Sequence, residues 1–281
     1  MKPVKAPVEL DAPSSNQLVR AFRWTRMLLH IAQGLLVTIL VYPRVKPAVR
    51  AALTQAWAKK MLRILNIMLA VHGARPEANT PKLFVIANHV SWLDIFVINA
   101  TTPSRFVAKS EIRDWPIAGV LCEAAGTIFV QRSKRSDTAR INAEIHEALE
   151  QGDTVAIFPE GTTTAGDRLL KFHTSLFEPA VANQALLAPA AIRYRNPNGE
   201  PSEAALFIGE TTFVQSISAI IAKKKMIADI TFAPSIATDT LSRRDAALHA
   251  ENAIAAILDV AKPHAHQRFG EGATSLAGQA A

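Results

Sequence analysis

The stretch Leu83-Phe84-Val85-Ile86-Ala87-Asn88-His89-Val90-Ser91-Trp92-Leu93-Asp94 decides the fold class. Five apolar residues stop at Asn88 and His89, and a helical pattern begins near Leu93. A short apolar run, a polar turn and a helix form the repeating unit of α/β domains. The unit recurs. Arg105 to Ala108 precedes a helix over Pro116 to Ala125, where Pro116 suits a first helical turn. Thr127 to Val130, β-branched and aromatic, precedes a helix over Asp137 to Gln151. There Ile141, Ile145 and Leu149 stand four apart, and Gly152 ends the pattern. Val155 to Phe158 stops at Pro159; Ser175 to Asn183 reads as helix and Leu187 to Tyr194 as strand. Further strands are predicted at Ala205 to Gly209 and Met226 to Ala233. Further helices are predicted near Phe213 to Ala222 and from Ser242, which with Asp245 resembles a capping box. The alternation predicts an α/β fold with a mostly parallel sheet flanked by helices.

Outside this alternation the composition changes. The chain has 281 residues, 49% hydrophobic and 20% charged, ample for a core and too apolar for a wholly disordered chain. One cysteine, Cys122, excludes an intrachain disulfide framework and any multi-cysteine metal site. Residues 1–75 carry a net charge of +10, whereas the remaining 206 carry −3. The basic character is therefore local and points to an anionic surface as partner.

Met27 to Tyr42 is a 16-residue run without formal charge, preceded by Arg20, Arg23 and Arg26 and followed by Arg44 and Lys46. A span takes about 20 apolar residues, so crossing the membrane and lying on it both stay open. No small-residue cleavage site follows the run, which argues against a removed signal peptide. Arg50 to Val71 reads as an amphipathic helix. Leu53, Trp57, Met61, Ile64, Leu65 and Met68 share one face, and Lys59, Lys60 and Arg63 the other. Such a helix either lies among lipid headgroups or packs on the protein's own core. Beside the uncharged run and the local charge, we read it as membrane-associating. The expected organisation is a flexible tail at 1–17, membrane-associating helices at 18–75, a catalytic domain at 76–268 and a second tail at 269–281.

Three apolar runs end in residues of catalytic or anion-binding type, where α/β sheets place ligands. After the first come His89 and Asp94. Five residues apart on a regular helix is about 500° of rotation, which keeps two side chains apart. They meet if His89 sits in the turn and Asp94 in the first helical turn, and a carboxylate so placed fixes the imidazole tautomer. The same residues also read as a helix cap with His89 incidental. After the second run Gly126 leads to Arg132, which either grips a phosphate or belongs to a solvated basic loop. After the third come Pro159-Glu160-Gly161-Thr162-Thr163-Thr164. Glu160 there can orient a substrate hydroxyl or another loop, Gly161 permits close backbone approach, and the threonines offer hydroxyls. There is no Gly-x-Ser-x-Gly elbow, no dinucleotide-binding glycine pattern and no His-Glu-x-x-His zinc helix.

In this order the blocks resemble the glycerolipid acyltransferase family. Asn88-His89 with Asp94 matches its His-x4-Asp motif, Gly126 to Arg132 its second block, and Phe158-Pro159-Glu160-Gly161-Thr162 its third. Ala188-Pro189-Ala190-Ala191-Ile192 resembles its fourth, and the resemblance runs from about Leu83 to Tyr194. It implies an O-acyltransferase that moves a fatty acyl group from acyl-carrier protein or coenzyme A to a lysolipid hydroxyl. The acceptor it implies first is 1-acylglycerol-3-phosphate, giving phosphatidic acid. His89 would be the base and Asp94 its support; Arg132, Glu160, Gly161 and Thr162 would bind the acceptor. No metal, no resident cofactor and no nucleic-acid partner are expected. The place implied is the inner (cytoplasmic) membrane, with the catalytic domain on the cytoplasmic face.

Two departures bear on the acceptor. The family's third block usually continues with Arg where this chain has Thr163, and Phe-Lys-x-Gly is replaced by Phe172-His173-Thr174-Ser175. Both remove a cation or a flexible backbone near the presumed phosphate. They make a lyso-aminolipid such as lyso-ornithine lipid the alternative acceptor. A non-catalytic lipid-binding module is the competing class.

Overall fold

Every residue of the strand Leu83–Ala87 is buried, so both faces are covered, as an uninterrupted apolar run requires. The computed structural model describes residues 15–77, 80–130 and 137–261. In chain order the described strands are β1 (Ile67–Gly73), β2 (Leu83–Ala87), β3 (Arg105–Lys109), β4 (Ile128–Val130), β5 (Val155–Ile157), β6 (Leu186–Arg195) and β7 (Met226–Phe232). They form one sheet in the order β1-β7-β6-β2-β5-β3-β4. All neighbours run parallel except β6 and β7, which are antiparallel.

The two faces follow the period of two along each strand. Val85 and Ala87, with Ala190, Ile192 and Tyr194 of β6, share a core with α2 (Pro47–Ile64), α3 (Asp94–Thr101) and α7 (Phe213–Ala222). Phe84 and Ile86, with Leu187 and Ala191, face α5 (Asp137–Glu150), α6 (Glu178–Ala182) and α8 (Arg243–Leu258). The sheet is thus covered by helices on both sides. Pro189 lies inside β6, where a missing N–H would ordinarily break a ladder. It falls between the Leu187–Ile236 bridge and the Ala190–Phe232 pair, two residues of β6 opposite three of the partner. That bulge accommodates the proline.

Three expectations are corrected. The helix read over Arg50 to Val71 ends at Ile64, because Asn66 takes a left-handed backbone (φ 56°) and Ile67–Gly73 becomes edge strand β1 beside β7. The apolar face of α2 is also not offered to a membrane. Ala58, Met61, Leu62 and Ile64 are buried in the protein's own core, and the exposed side carries Lys59, Lys60 and Arg63. Ala205 to Gly209 forms no strand; both neighbours of β6 are already in place, and the segment instead passes over the turn after β2, with Phe207 N–H donating to Val90 O at 3.2 Å.

The N-terminal helix α1 (Gln17–Leu40) is long and apolar enough to cross a membrane. Met27, His30 and Gly34 form its buried stripe, while Leu18, Phe22, Leu29, Leu36, Ile39 and Leu40 are exposed. Polar bonds hold it to the domain. Arg23 donates to the carbonyls of Ile221, Lys223 and Lys224 at the end of α7. His30 Nε2 bonds Trp57 O and Trp57 Nε1 donates to His30 O, both at 3.0 Å. At Gly34 a Cβ would sit 2.8 Å from Trp57 Nε1, so the close approach of α1 to α2 requires glycine there.

Candidate active site

Strands β2, β5 and β6 are adjacent and parallel, so their carboxyl ends gather His89, the Phe158–Thr164 loop and Tyr194. His89 occupies the turn and Asp94 opens α3, the one arrangement in which residues at this spacing meet. Asp94 is fully buried. Its Oδ2 accepts from His89 Nδ1 (2.8 Å), Val90 N–H (2.8 Å) and Ser91 N–H (2.9 Å), and Tyr194 O–H donates to Oδ1 (2.7 Å). Its charge at the first turn also suits the helix dipole. With two backbone N–H groups on the same oxygen, the proton between His89 and Asp94 belongs to Nδ1. In the neutral ring Nε2 therefore carries the lone pair, on a side chain 21% exposed.

The turn is clamped from a second loop. Glu160 Oε1 accepts His89 N–H at 2.8 Å, and Oε2 accepts Leu170 N–H at 2.9 Å. Thr164 N–H donates to His89 O at 2.8 Å. Phe158 stacks on the imidazole with centroids 4.1 Å apart and planes 11° apart, and Phe106 stacks behind it at 5.8 Å. Burial pushes the Glu160 carboxyl above the usual carboxylate range, against the two backbone bonds that lower it. Of the readings open to Glu160, the structure displays the bond to another loop.

Two more of the expected site residues lie in this same loop. Gly161 turns the loop at φ 71°, and Thr162 is exposed beside it. The Thr163 hydroxyl donates to Phe207 O. Arg132 lies outside the described residues. His173 lines a separate cleft with Lys171, Arg244 and Leu248.

Asn88 and Tyr194 add what the motifs alone do not specify. Buried Asn88 makes a two-way bond to β6, accepting Ile192 N–H at 2.7 Å and donating to Ile192 O at 3.1 Å. Burial, together with the charge of Asp94, raises the Tyr194 phenol well above its ordinary pKa and keeps it a donor.

A family model described as Acyltransferase matches residues 68–193. Lyso-ornithine lipid O-acyltransferase of Pseudomonas aeruginosa is 36% identical over 205 residues, 73% of this chain and 78% of that protein. The chain belongs to the acyltransferase family. A second relative, 1-acyl-sn-glycerol-3-phosphate acyltransferase of Neisseria gonorrhoeae, is 41% identical over 145 residues, 52% of this chain and 56% of that protein. The solved 1-acyl-sn-glycerophosphate acyltransferase PlsC of Thermotoga maritima shares the fold, with a TM-score of 0.65 and 19% identity over 87% of this chain and 95% of that one. This acyltransferase is therefore an enzyme of the lysophospholipid or lyso-aminolipid type, and its sheet, helices and apolar N-terminal helix are those of the fold. The matched region begins within β1 and ends within β6, one residue short of Tyr194.

Proposed function

We propose that the enzyme transfers a fatty acyl group from a thioester carrier to the free hydroxyl of a lysolipid, with His89 as general base. The observation that carries this is the 2.8 Å bond from His89 Nδ1 to buried Asp94, which leaves Nε2 as the nitrogen available to a substrate on a ring that is 21% exposed. Nε2 takes the proton of the acceptor hydroxyl as its oxygen attacks the thioester carbonyl. The C–S bond then breaks, and the imidazolium returns the proton to the leaving thiolate. The products are an ester and a free thiol. Asp94 acts as a positioning residue that stays ionised beside the imidazolium. Glu160 positions the His89 turn; Arg132, Gly161 and Thr162 hold the acceptor's head group and backbone.

For the acceptor, a lyso-ornithine-type lipid is the reading we favour. Thr163 replaces a family arginine, its hydroxyl bonds Phe207, and the Pseudomonas relative aligns over most of this chain. Lysophosphatidate is the second reading, favoured by the higher identity of the Neisseria enzyme over its shorter alignment. Purified enzyme, given acyl-carrier protein and acyl-coenzyme A donors in turn, should esterify lyso-ornithine lipid faster than lysophosphatidate or lysophosphatidylethanolamine. Faster turnover of lysophosphatidate would reverse the assignment.

The acceptor is embedded in a bilayer and either carrier is soluble, so we place the domain on the cytoplasmic face of the inner membrane. The bonds of Arg23 to the end of α7 and of His30 to Trp57 support α1 lying along the surface, its exposed apolar side in lipid.

Tyr194 is a positioning residue that acts through Asp94. A hydrogen bond to a charged group is worth roughly 1.5–3 kcal/mol, part of which reaches the transition state. Tyr194→Phe should lower kcat about tenfold with the acceptor KM unchanged. A rise in KM with kcat intact would assign the phenol to substrate binding instead.

A further inference from the structure

The aromatic residues beside the base lead outward to an uncovered apolar rim. Trp92, three residues beyond His89, stands edge-on to Phe96 at 5.7 Å and packs on Phe213 at 5.0 Å. Its indole N–H donates to Ser216 Oγ at 2.9 Å. Phe213 in turn meets Phe207 and Trp115, both with centroids at 6.4 Å. Phe207 is bonded to the base turn through Val90 O and to the Glu160 loop through Thr163. The cluster therefore joins the His89 turn, the start of α7 and the segment leading into α4 (Ala118–Ala124).

The outer side of this cluster is bare. Trp115 is 46% exposed, Ile117 52%, Val120 47%, Phe213 40% and Val214 64%. Single exposed apolar side chains are ordinary, but a contiguous group of large ones marks an interaction surface. Ile117 also stands at φ 68°, a region a β-branched residue rarely adopts, so the chain is strained where it presents this side chain. Helix α1 touches both α4 and α7, which sets the rim beside the helix that exposes Leu29, Leu36 and Ile39. The exposed Trp115 suits contact at headgroup depth, where tryptophan is favoured.

We infer that Trp115, Ile117, Val120, Phe213 and Val214 form a second membrane-contact surface, placed beside the base so that a lysolipid reaches His89 from the bilayer. The role given to the lysolipid rests on the proposed function; the contact with lipid does not. A lipid surface is the occupant because the rim adjoins α1, a helix long and apolar enough to enter a membrane, and reaches inward to the base turn. A protein seated there would cover the approach the acceptor must use.

The test uses the full chain and vesicles of phosphatidylethanolamine and phosphatidylglycerol without lysolipid. Brominated acyl chains should quench wild-type emission more than that of Trp115→Phe, the difference reporting Trp115 itself. The double variant Val120→Asp with Val214→Asp, at two exposed positions outside the catalytic machinery, should bind the vesicles about tenfold more weakly. Its turnover of a short-chain, water-soluble lysolipid should match wild type, while turnover of vesicle-borne lysolipid falls in step with binding. Unchanged vesicle affinity, or Trp115 emission indifferent to bromine, would overturn the surface. So would a dimer in solution that the double variant abolishes, which would make the rim a contact between two copies. Vesicle binding needs no turnover, so an enzyme inactive on every lysolipid that still docks through this rim would refute the proposed function and leave the surface standing.

Discussion

Replacing His89 by alanine is expected to lower acyl transfer by about 10²- to 10⁴-fold, the range typical for removing a positioned general base. The fold should survive. The lost ring is partly exposed, and without it Asp94 Oδ2 still accepts the N–H groups of Val90 and Ser91, so no buried charge is stranded. The backbone of residue 89 keeps its bonds to Glu160 and Thr164, which do not involve the imidazole. Turnover that remains should come from binding and orientation of donor and acceptor alone. Steady-state kinetics beside a thermal melt checks both halves. Wild-type kcat in a folded His89→Ala enzyme would remove the base from the proposed mechanism, whereas a collapsed melting transition would show that the ring serves structure.

How legible this site was depended on how far apart its parts lie in sequence. The His89–Asp94 meeting is local: a turn followed by a helix start brings the two together, and the arrangement follows from helix geometry. The ends of β2 and β5 were legible as ends because apolar runs stop there at polar residues. Tyr194 was not. It bonds Asp94 across 100 positions, and that pairing requires β6 to lie beside β2 in a definite register. Period two puts Tyr194 on the face of Ala190 and Ile192, but nothing local says which helix meets that face. The role of Glu160 was ambiguous for a related reason. A carboxylate in a turn reads alike whether it meets solvent, substrate or a backbone N–H from another loop.

The errors in the fold have the same physical origin. Spacings of three and four continue from Leu65 to Met68, yet the chain turns at Asn66, because an edge position beside β7 rewards Ile67–Gly73 more than another helical turn does. The basic back of α2 resembled a membrane-seeking helix. Its apolar face had a nearer partner in α3 and the sheet, which composition alone does not reveal. Ala205 to Gly209 has strand-like composition but no free edge near it, and it covers the base turn instead.

Asp94→Asn separates charge from geometry at the site, and its effect should be nearly as large as that of His89→Ala. An asparagine can turn its carbonyl toward His89 Nδ1, Val90 N–H and Ser91 N–H, the three donors on Oδ2. Its NH₂ then faces the Tyr194 hydroxyl, which can rotate to accept. The three N–H donors keep their acceptor and only the Tyr194 O–H gives up its own, so the melting temperature should fall less than in an alanine variant. The negative charge is gone, however, and the imidazolium formed during transfer loses the group that stabilises it. We expect kcat to fall about 10²- to 10⁴-fold, on the scale of losing the base itself. Asp94→Ala should lose comparable activity and more stability, because the N–H groups of Val90 and Ser91 become buried donors without acceptors, each costing roughly 1–3 kcal/mol. The comparison of the two variants is what decides. If the asparagine enzyme works at near wild-type rate while the alanine enzyme unfolds, Asp94 only shapes the turn; if both are folded enough to assay and both are inactive, its charge belongs to the chemistry.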